Sequence, residues 1–422
     1  MKVLWFTNTA CGAAEKLRIP GLRGGWLRSL EAALVARKEI ELSICFYSSQ
    51  AIEPFRFRGT EYYPVHRSSS GSKTSRYLGR VMGEASQEKQ ELPKLLEIIG
   101  KVKPDIIHIH GTEENFGLVQ QLTDIPAVIS IQGILSPYVE KFYAGIPPSI
   151  VERYEEFTDK ILLKSFRYSF QNLEKRAKRE RAILKMSKNV IGRTIWDKRV
   201  TRVLSPDSIY FRNNELMRNP FYDIIWQKDE GRRKLKLITI SSESLYKGFE
   251  TIMKTASILV GYNKMEFEWV VVGLSDQDPI VTIVQNWLRE SATELNIKLA
   301  GEKSETEIAQ MLASSDIYCQ VSHIENSPNS LCEAMLVGMP VIASNAGGTS
   351  SLLKDGREGI LVQDGEPYSM AGAVIELAAD TEKAVRYGVN AKETAMLRHD
   401  RKHVCSELIG IYLKIKDDNL KS

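Results

Sequence analysis

Cysteine is scarce, and the five that occur (Cys11, Cys45, Cys319, Cys332, Cys405) include no Cys-x-x-Cys pair. That scatter argues against a zinc ribbon or a disulfide framework, so reduced core thiols in a cytosolic protein are expected. Long apolar runs are missing too: none approaches the roughly 18 residues a membrane span needs. The apolar start Met1–Asn8 reads as a first strand, too short for a signal peptide. No solenoid-like repeat is present. What remains is ordinary globular composition over 422 residues, 43% hydrophobic and 26% charged, enough for two or three domains. The net charge of +4 hides an asymmetry. Residues 1–220 carry 35 basic against 24 acidic side chains, the remainder 22 against 29. Most of the excess lies in Arg153–Arg202, with 15 basic and 6 acidic residues.

Two strand–helix arrays follow one another. In the first, residues 3–8, 40–48, 105–111, 127–133, 189–194 and 208–213 are short, mostly apolar runs with helical patterns between them. In the second, 235–241, 266–273, 297–301, 316–322, 340–344 and 359–362 play the same part. Helices are expected to start near Lys247, Pro279, Ser304, Ser330, Thr349 and Pro367. Near-continuous apolar strands alternating with helices predict parallel sheets covered on both faces. The expected organisation is α/β, with two Rossmann-like domains facing each other across a cleft. These are residues 1–218 and 219–395, with a helix at 396–422 packing back on the first domain. A hinge is expected near Asn214–Lys234, and a mobile loop at His66–Arg76 (HRSSSGSKTSR).

The most informative segment is Glu325-Asn-Ser-Pro-Asn-Ser330-Leu331-Cys-Glu333, which follows a strand and opens a helix stopped by Gly338. Open α/β sheets bind ligands at the edge where strands give way to helices. A helix start offers amides and a positive dipole end to a phosphate. Two carboxylates beside a phosphate seat would repel it, so they suit neutral hydroxyls. Phosphate and hydroxyls together describe a sugar nucleotide. An equally simple reading makes Ser330-x-x-Glu333 a capping box. Lys247, placed in a first helical turn, opposes the dipole unless an anion sits nearby, or is simply a solvated lysine. Gly347-Gly348 and Gly24-Gly25 allow close backbone approach.

Taken in order, Lys247-Gly248, Glu325-x7-Glu333, Gly338-x-Pro340-Val341, Gly347-Gly348 and Asp355-Gly356-x-x-Gly359-x-Leu361-Val362 resemble the donor-binding half of the family four retaining glycosyltransferases, which have the GT-B fold. The resemblance is strong over 235–365. It extends more loosely over the first half through Gly24-Gly25, Pro104-Asp105-x-x-His108-x-His110 and Ile131-Gln132-Gly133. It implies a nucleoside-diphosphate sugar as co-substrate, with Lys247 on the diphosphate and Glu325 on hydroxyls of the transferred sugar. Glu333 would bind the ribose, and the amides of Ser330 and Leu331 would cap the diphosphate. Gly24-Gly25 would close over it, and Gly301-Glu302-Lys303 would supply backbone contacts to the base. Three departures stand out. Ser242 occupies the place of a frequent arginine, for which Arg193, Arg212 or Arg218 could substitute. Gln132 occupies the place of a frequent histidine, for which His110 is either a displaced catalytic equivalent or a core residue. Ser351 replaces a frequent glutamate. No Asp-x-Asp metal clamp is evident, so no obligatory metal or other cofactor is expected.

Arg153–Lys188 reads as one long basic helix, with Leu162, Phe166, Phe170, Leu173 and Ala177 at three- and four-residue spacing. It is either an ordinary surface helix or one facing anionic lipid headgroups. No nucleic-acid module accompanies the charge. A glycan or lipid-linked acceptor is expected on the basic first domain, with contact at the inner face of the plasma membrane. Rival readings are a GT-B epimerase or phosphorylase, and a catalytically silent nucleotide-sugar-binding scaffold.

Overall fold

Among the described residues of the computed structural model (1–18, 25–67, 84–161, 164–229, 231 and 233–421), fourteen strands form two sheets. The first sheet contains β1 (Lys2–Thr7), β2 (Glu41–Ser48), β3 (Phe55–Phe57), β4 (Thr60–His66), β5 (Ile106–His110), β6 (Ala127–Ser130), β7 (Asn189–Gly192) and β8 (Ile209–Arg212), in the order β3-β4-β2-β1-β5-β6-β7-β8. The second contains β9 (Leu235–Ile240), β10 (Phe267–Val272), β11 (Ile297–Gly301), β12 (Ile317–Gln320), β13 (Val341–Ser344) and β14 (Ile360–Val362), in the order β11-β10-β9-β12-β13-β14. Every pairing is parallel except β3 with β4. The second sheet therefore runs 3-2-1-4-5-6 in its own strand numbering. Chain order reverses between β9 and β12, and helices leave these two strands on opposite sides.

The chain divides into two compact units, one of residues 1–136, 171–216 and 399–422, the other of 137–170 and 217–398. In the first, β1 is buried on both faces. Val3 and Trp5 pack on one side with Leu30, Leu34, Tyr62, Leu408 and Tyr412. Leu4 and Phe6 pack on the other with Leu95, Ile99, Phe116 and Ile183. In the second unit, Ile238, Val270, Tyr318, Val341 and Ala343 from the strands meet Leu331, Met335 and Leu336 from the helix Asn329–Val337.

The sequence reading needs several corrections. The β3–β4 hairpin is unanticipated; its turn is Arg58-Gly59, both at positive φ (48° and 90°), as tight hairpin turns require. His66 ends β4, and Arg67 is fixed by Glu91 (2.8 Å) and Glu114 (2.8 Å); residues 68–76 of the expected loop lie outside the described ones. The expected hinge is largely packed: Met217, Phe221 and Trp226 belong to the second unit's core, and Lys228 pairs with Asp316 at 3.0 Å. The long basic helix is three pieces, Pro148–Tyr154, Phe157–Ile161 and Phe166–Met186. The break is made by Glu155, whose carboxylate accepts from the Phe166 amide at 2.6 Å and so caps the third piece. Leu162 lies outside the described residues. No described helix is long and apolar enough to cross a membrane.

The helix Arg401–Lys421 is tied to the first sheet by Tyr412. Trp5 Nε1 donates to its hydroxyl at 3.0 Å, and His108 Nδ1 lies 2.6 Å from the same oxygen. His108 Nε2 lies 2.6 Å from Ser130 Oγ. Burial, with Arg193 nearby, pushes His108 down to about 3, so the ring is neutral. Tyr412→Phe keeps the ring volume but strands two buried ring nitrogens. It should lower the unfolding free energy by about 1–3 kcal/mol in urea titrations.

Candidate functional site at the switch point of the second sheet

After β9 the chain passes through Ser241–Ser244 into a single tight turn, Leu245–Lys247. It then turns at Gly248 (φ 79°) into the helix Phe249–Tyr262. Lys247 thus precedes that helix rather than lying in its first turn. After β12 the loop 321–328 leads to the helix Asn329–Val337. The two loops meet where chain order reverses: Lys247 Nζ lies 2.5 Å from Glu325 Oε1, with the two side chains 26% and 9% exposed. Burial works to lower the Lys247 pKa, but the Glu325 carboxylate outweighs it and raises it above the ordinary range. The His323 amide also donates to Tyr246 O at 2.8 Å, joining the loops through backbone.

Glu333 does not form a capping box with Ser330. Pro328 stands at the N-cap position, and Glu333 is taken by Arg218, whose Nε and Nη2 both donate at 2.7 Å. Burial pushes Glu333 above the usual carboxylate range even though Arg218 pulls it down. Ser330 Oγ accepts from Tyr318 at 2.8 Å. The Leu331 amide, expected to be open to a phosphate, donates to Pro328 O at 3.1 Å. A true capping box does occur one crossover earlier, between Ser304 and Glu307.

The double glycine serves the Glu325 loop. Gly348 N donates to Glu325 O at 2.8 Å, and a Cβ on Gly347 (φ 56°) would stand 2.0 Å from that same carbonyl. Close approach is required here between two pieces of this chain. Gly301 (φ 64°) ends β11 with its amide and carbonyl engaged by Leu274 and Gly273, and exposed Glu302 follows it. Ser242 is half-buried just past β9. Contrary to the expectation of none, one Asp-x-Asp spacing occurs, at Asp276 and Asp278. Asp278 accepts from the Ser275 amide at 2.6 Å and precedes the helix Pro279–Leu288.

Ser351 ends the short turn Thr349–Ser351 of the second unit, and the remaining residues belong to the first. Gly24 lies outside the described residues; Gly25 (φ 58°) places its missing Cβ 3.4 Å from Thr9. His110, ending β5, is 2% exposed and neither ring nitrogen has a protein partner. Its ring packs 3.7 Å from that of His108 and 4.5 Å from that of Trp5, and burial holds it neutral. Arg193 stacks over Trp26 at 4.4 Å and pairs with buried Glu215. Just beyond His110, burial pushes Glu113 up to about 7.

Two parallel-sheet Rossmann-like domains in a mixed α/β chain define the fold class, and its neighbours among solved structures are GT-B glycosyltransferases. Residues 223–394 match the family described as Glycosyl transferases group 1. Sucrose-phosphate synthase from Thermosynechococcus elongatus superposes with a TM-score of 0.72 at 16% identity, over 98% of this chain and 99% of that one. Anabaena Alr3699/HepE in complex with UDP-glucose superposes with a TM-score of 0.64 at 17% identity, over 98% and 100%. A GDP-mannose-dependent alpha-mannosyltransferase of Mycolicibacterium smegmatis is 35% identical over 113 residues, 26% of this chain and 29% of its own. The chain spans about two fifths or less of the curated relatives it matches, 41% for an uncharacterized glycosyltransferase of Methanocaldococcus jannaschii.

Arg218→Met leaves a carboxylate buried without its cation. Breaking a buried pair costs about 3–5 kcal/mol; since Arg218 is 24% exposed, a loss of about 2–3 kcal/mol is expected in urea unfolding. Glu113 gives a pH signature. Its folded pKa lies above the unfolded one, so its contribution to stability is present below the unfolded value and lost as pH rises through about 7. Melting across this range should show Glu113→Gln gaining on wild type as pH increases; a constant difference would contradict that origin.

Proposed function

We propose that this chain is a retaining glycosyltransferase of the family four kind. It would move a sugar from a nucleoside-diphosphate donor to a hydroxyl acceptor in surface polysaccharide or glycolipid assembly. The observation that carries the reading is the Lys247–Glu325 pair at the switch point of a 3-2-1-4-5-6 sheet. Breaking the anomeric bond leaves charge on the departing diphosphate, and a partly exposed cation beside a helix start is suited to stabilise it. Lys247 would exchange Glu325 for the diphosphate, and the released carboxylate would accept hydrogen bonds from hydroxyls of the sugar. Glu333 would address the ribose, with Arg218 beside it as the cation in place of the arginine missing at Ser242. The amide at Ser330, Gly24-Gly25, the Gly301-Glu302 segment and His110 complete the proposed set. Attack from the same face, with the leaving phosphate taking the acceptor proton, asks for no metal ion.

Residues 219–395 would bind the donor, residues 1–218 the acceptor. The family match over 223–394 and the UDP-glucose bound by the Anabaena neighbour support a nucleotide sugar. The mannosyltransferase relative uses GDP-mannose by its name, so the base is open between uracil and guanine. The basic excess of Arg153–Arg202 favours an anionic acceptor, such as a lipid-linked glycan at an anionic membrane surface.

Thermal shift with UDP-, GDP- and ADP-sugars tests the donor. A selective ligand at 100 times its Kd stabilises by about 2.7 kcal/mol, and one of the three should raise Tm clearly above the others. Lys247→Met should reduce turnover of that donor about 10²–10³-fold. Glu325→Ala should abolish most transfer, and a Tm unmoved by every nucleotide sugar would defeat the reading.

A further inference from the structure

None of the roles above uses His323, yet it is a nearly fully enclosed polar side chain near Lys247 and Glu325. It is 3% exposed, two residues before Glu325. Its Nε2 lies 2.6 Å from Glu250 Oε1 and its Nδ1 3.6 Å from Asp364 Oδ2. Glu250 is itself 1% exposed, three residues after Lys247, with Thr251 Oγ1 donating to it at 2.8 Å. Asp364 follows β14 and is held from outside by Lys141 at 3.2 Å.

Backbone closes the remaining sides. A Cβ on Gly145 (φ 81°) would stand 2.1 Å from Glu250 Oε1 and 2.5 Å from His323 Nε2. One on Gly365 (φ 70°) would stand 2.9 Å from His323 Cε1. Four stretches of chain therefore converge on one imidazole: the loop after β9, the loop after β12, the turn after β14, and residues 141–145. The imidazole suits this place because one ring nitrogen reaches Glu250 at hydrogen-bond distance while the other faces Asp364 at 3.6 Å, so that two carboxylates flank one rigid ring. A glutamine side chain reaches one of them; a leucine reaches neither.

We propose that His323 is a positioning residue for the donor site, holding the Lys247 and Glu325 loops in register through Glu250 and Asp364. The inference rests on the donor reading above. It adds a residue that touches no substrate and acts through the two that do. The lever is short: Glu250 is separated from Lys247 by two residues, His323 from Glu325 by one, and both loops are already joined by the bond from His323 N to Tyr246 O. A movement of the ring shifts both members of the ion pair, and a misplacement of about 1 Å can cost on the order of 10²-fold in rate.

The test combines two readouts on His323→Leu, His323→Gln and Glu250→Gln. The first needs no activity: acetylation of Lys247 by an amine-reactive acetyl ester, followed by peptide mass spectrometry. His323→Leu should label Lys247 at least fivefold faster than wild type, Glu250→Gln two- to fivefold faster, and His323→Gln close to wild type. The second is donor turnover. His323→Leu should lower kcat about 10- to 100-fold with KM changed less than threefold, and His323→Gln should recover most of it. Unchanged labelling in folded His323→Leu overturns the proposal, as does a glutamine variant no better than leucine in both readouts. Should the leucine variant fail to fold, Glu250→Gln decides: wild-type labelling there overturns it equally. A wild-type protein that turns over no nucleotide sugar defeats the donor reading instead, and the labelling arm still judges the positioning.

Discussion

The second unit is organised around an electrostatic constraint. Where chain order reverses between β9 and β12, the loops that follow these strands carry one cation and one carboxylate 2.5 Å apart. Arg218 and Glu333 repeat the arrangement, again with a partly exposed cation over a nearly buried acid. Each acid would be costly to bury alone, so each cation is kept in place without a ligand. The two charges of each pair cancel locally. A ligand gains from such a site only by replacing both members' partners, offering an anion to the cation and hydroxyl donors to the acid. A bare phosphate satisfies one half of that exchange.

Backbone contacts make the arrangement stiff. Gly347 and Gly348 press on the carbonyl of Glu325, Gly145 presses on the Glu250–His323 pair, and His323 N bonds across to Tyr246 O. Neither Gly347 nor Gly145 tolerates a side chain without movement, so the loops support one another through main-chain geometry. In the first unit, order reverses in the same way between β1 and β5, and Trp26 packs edge-on to His110 at the end of β5.

Much of this was legible in the sequence where strands are continuous apolar runs. All six strands of the second sheet were located to within about a residue or two, because residues such as 267–272 and 341–344 are buried on both faces and punctuated by Gly or Pro. β3 escaped because Phe55-Arg56-Phe57 is three residues at an edge, and its turn is Arg-Gly rather than a recognisable Asn-Gly. Spacing singled out Lys247, Glu325 and Glu333, and the structure pairs the first two with each other and the third with Arg218. Their partners were harder: Arg218 lies 115 residues from Glu333, and nothing local marks it among many arginines. The Ser330-x-x-Glu333 spacing fitted a capping box that a long-range ion pair pre-empts. Residues 137–170 fall in the second unit, which their composition did not signal.

The placement of Tyr412 bears on how the chain acquires its shape. Trp5, near the beginning, closes its indole N–H on a hydroxyl 407 positions later, and Val404, Leu408 and Tyr412 fill the same cluster as Val3 and Trp5. During synthesis this face of β1 therefore stays uncovered by the helix Arg401–Lys421 while residues 217–398 emerge. The later-made half can consolidate first, and the earlier-made half is the one exposed to misassembly until the final helix arrives.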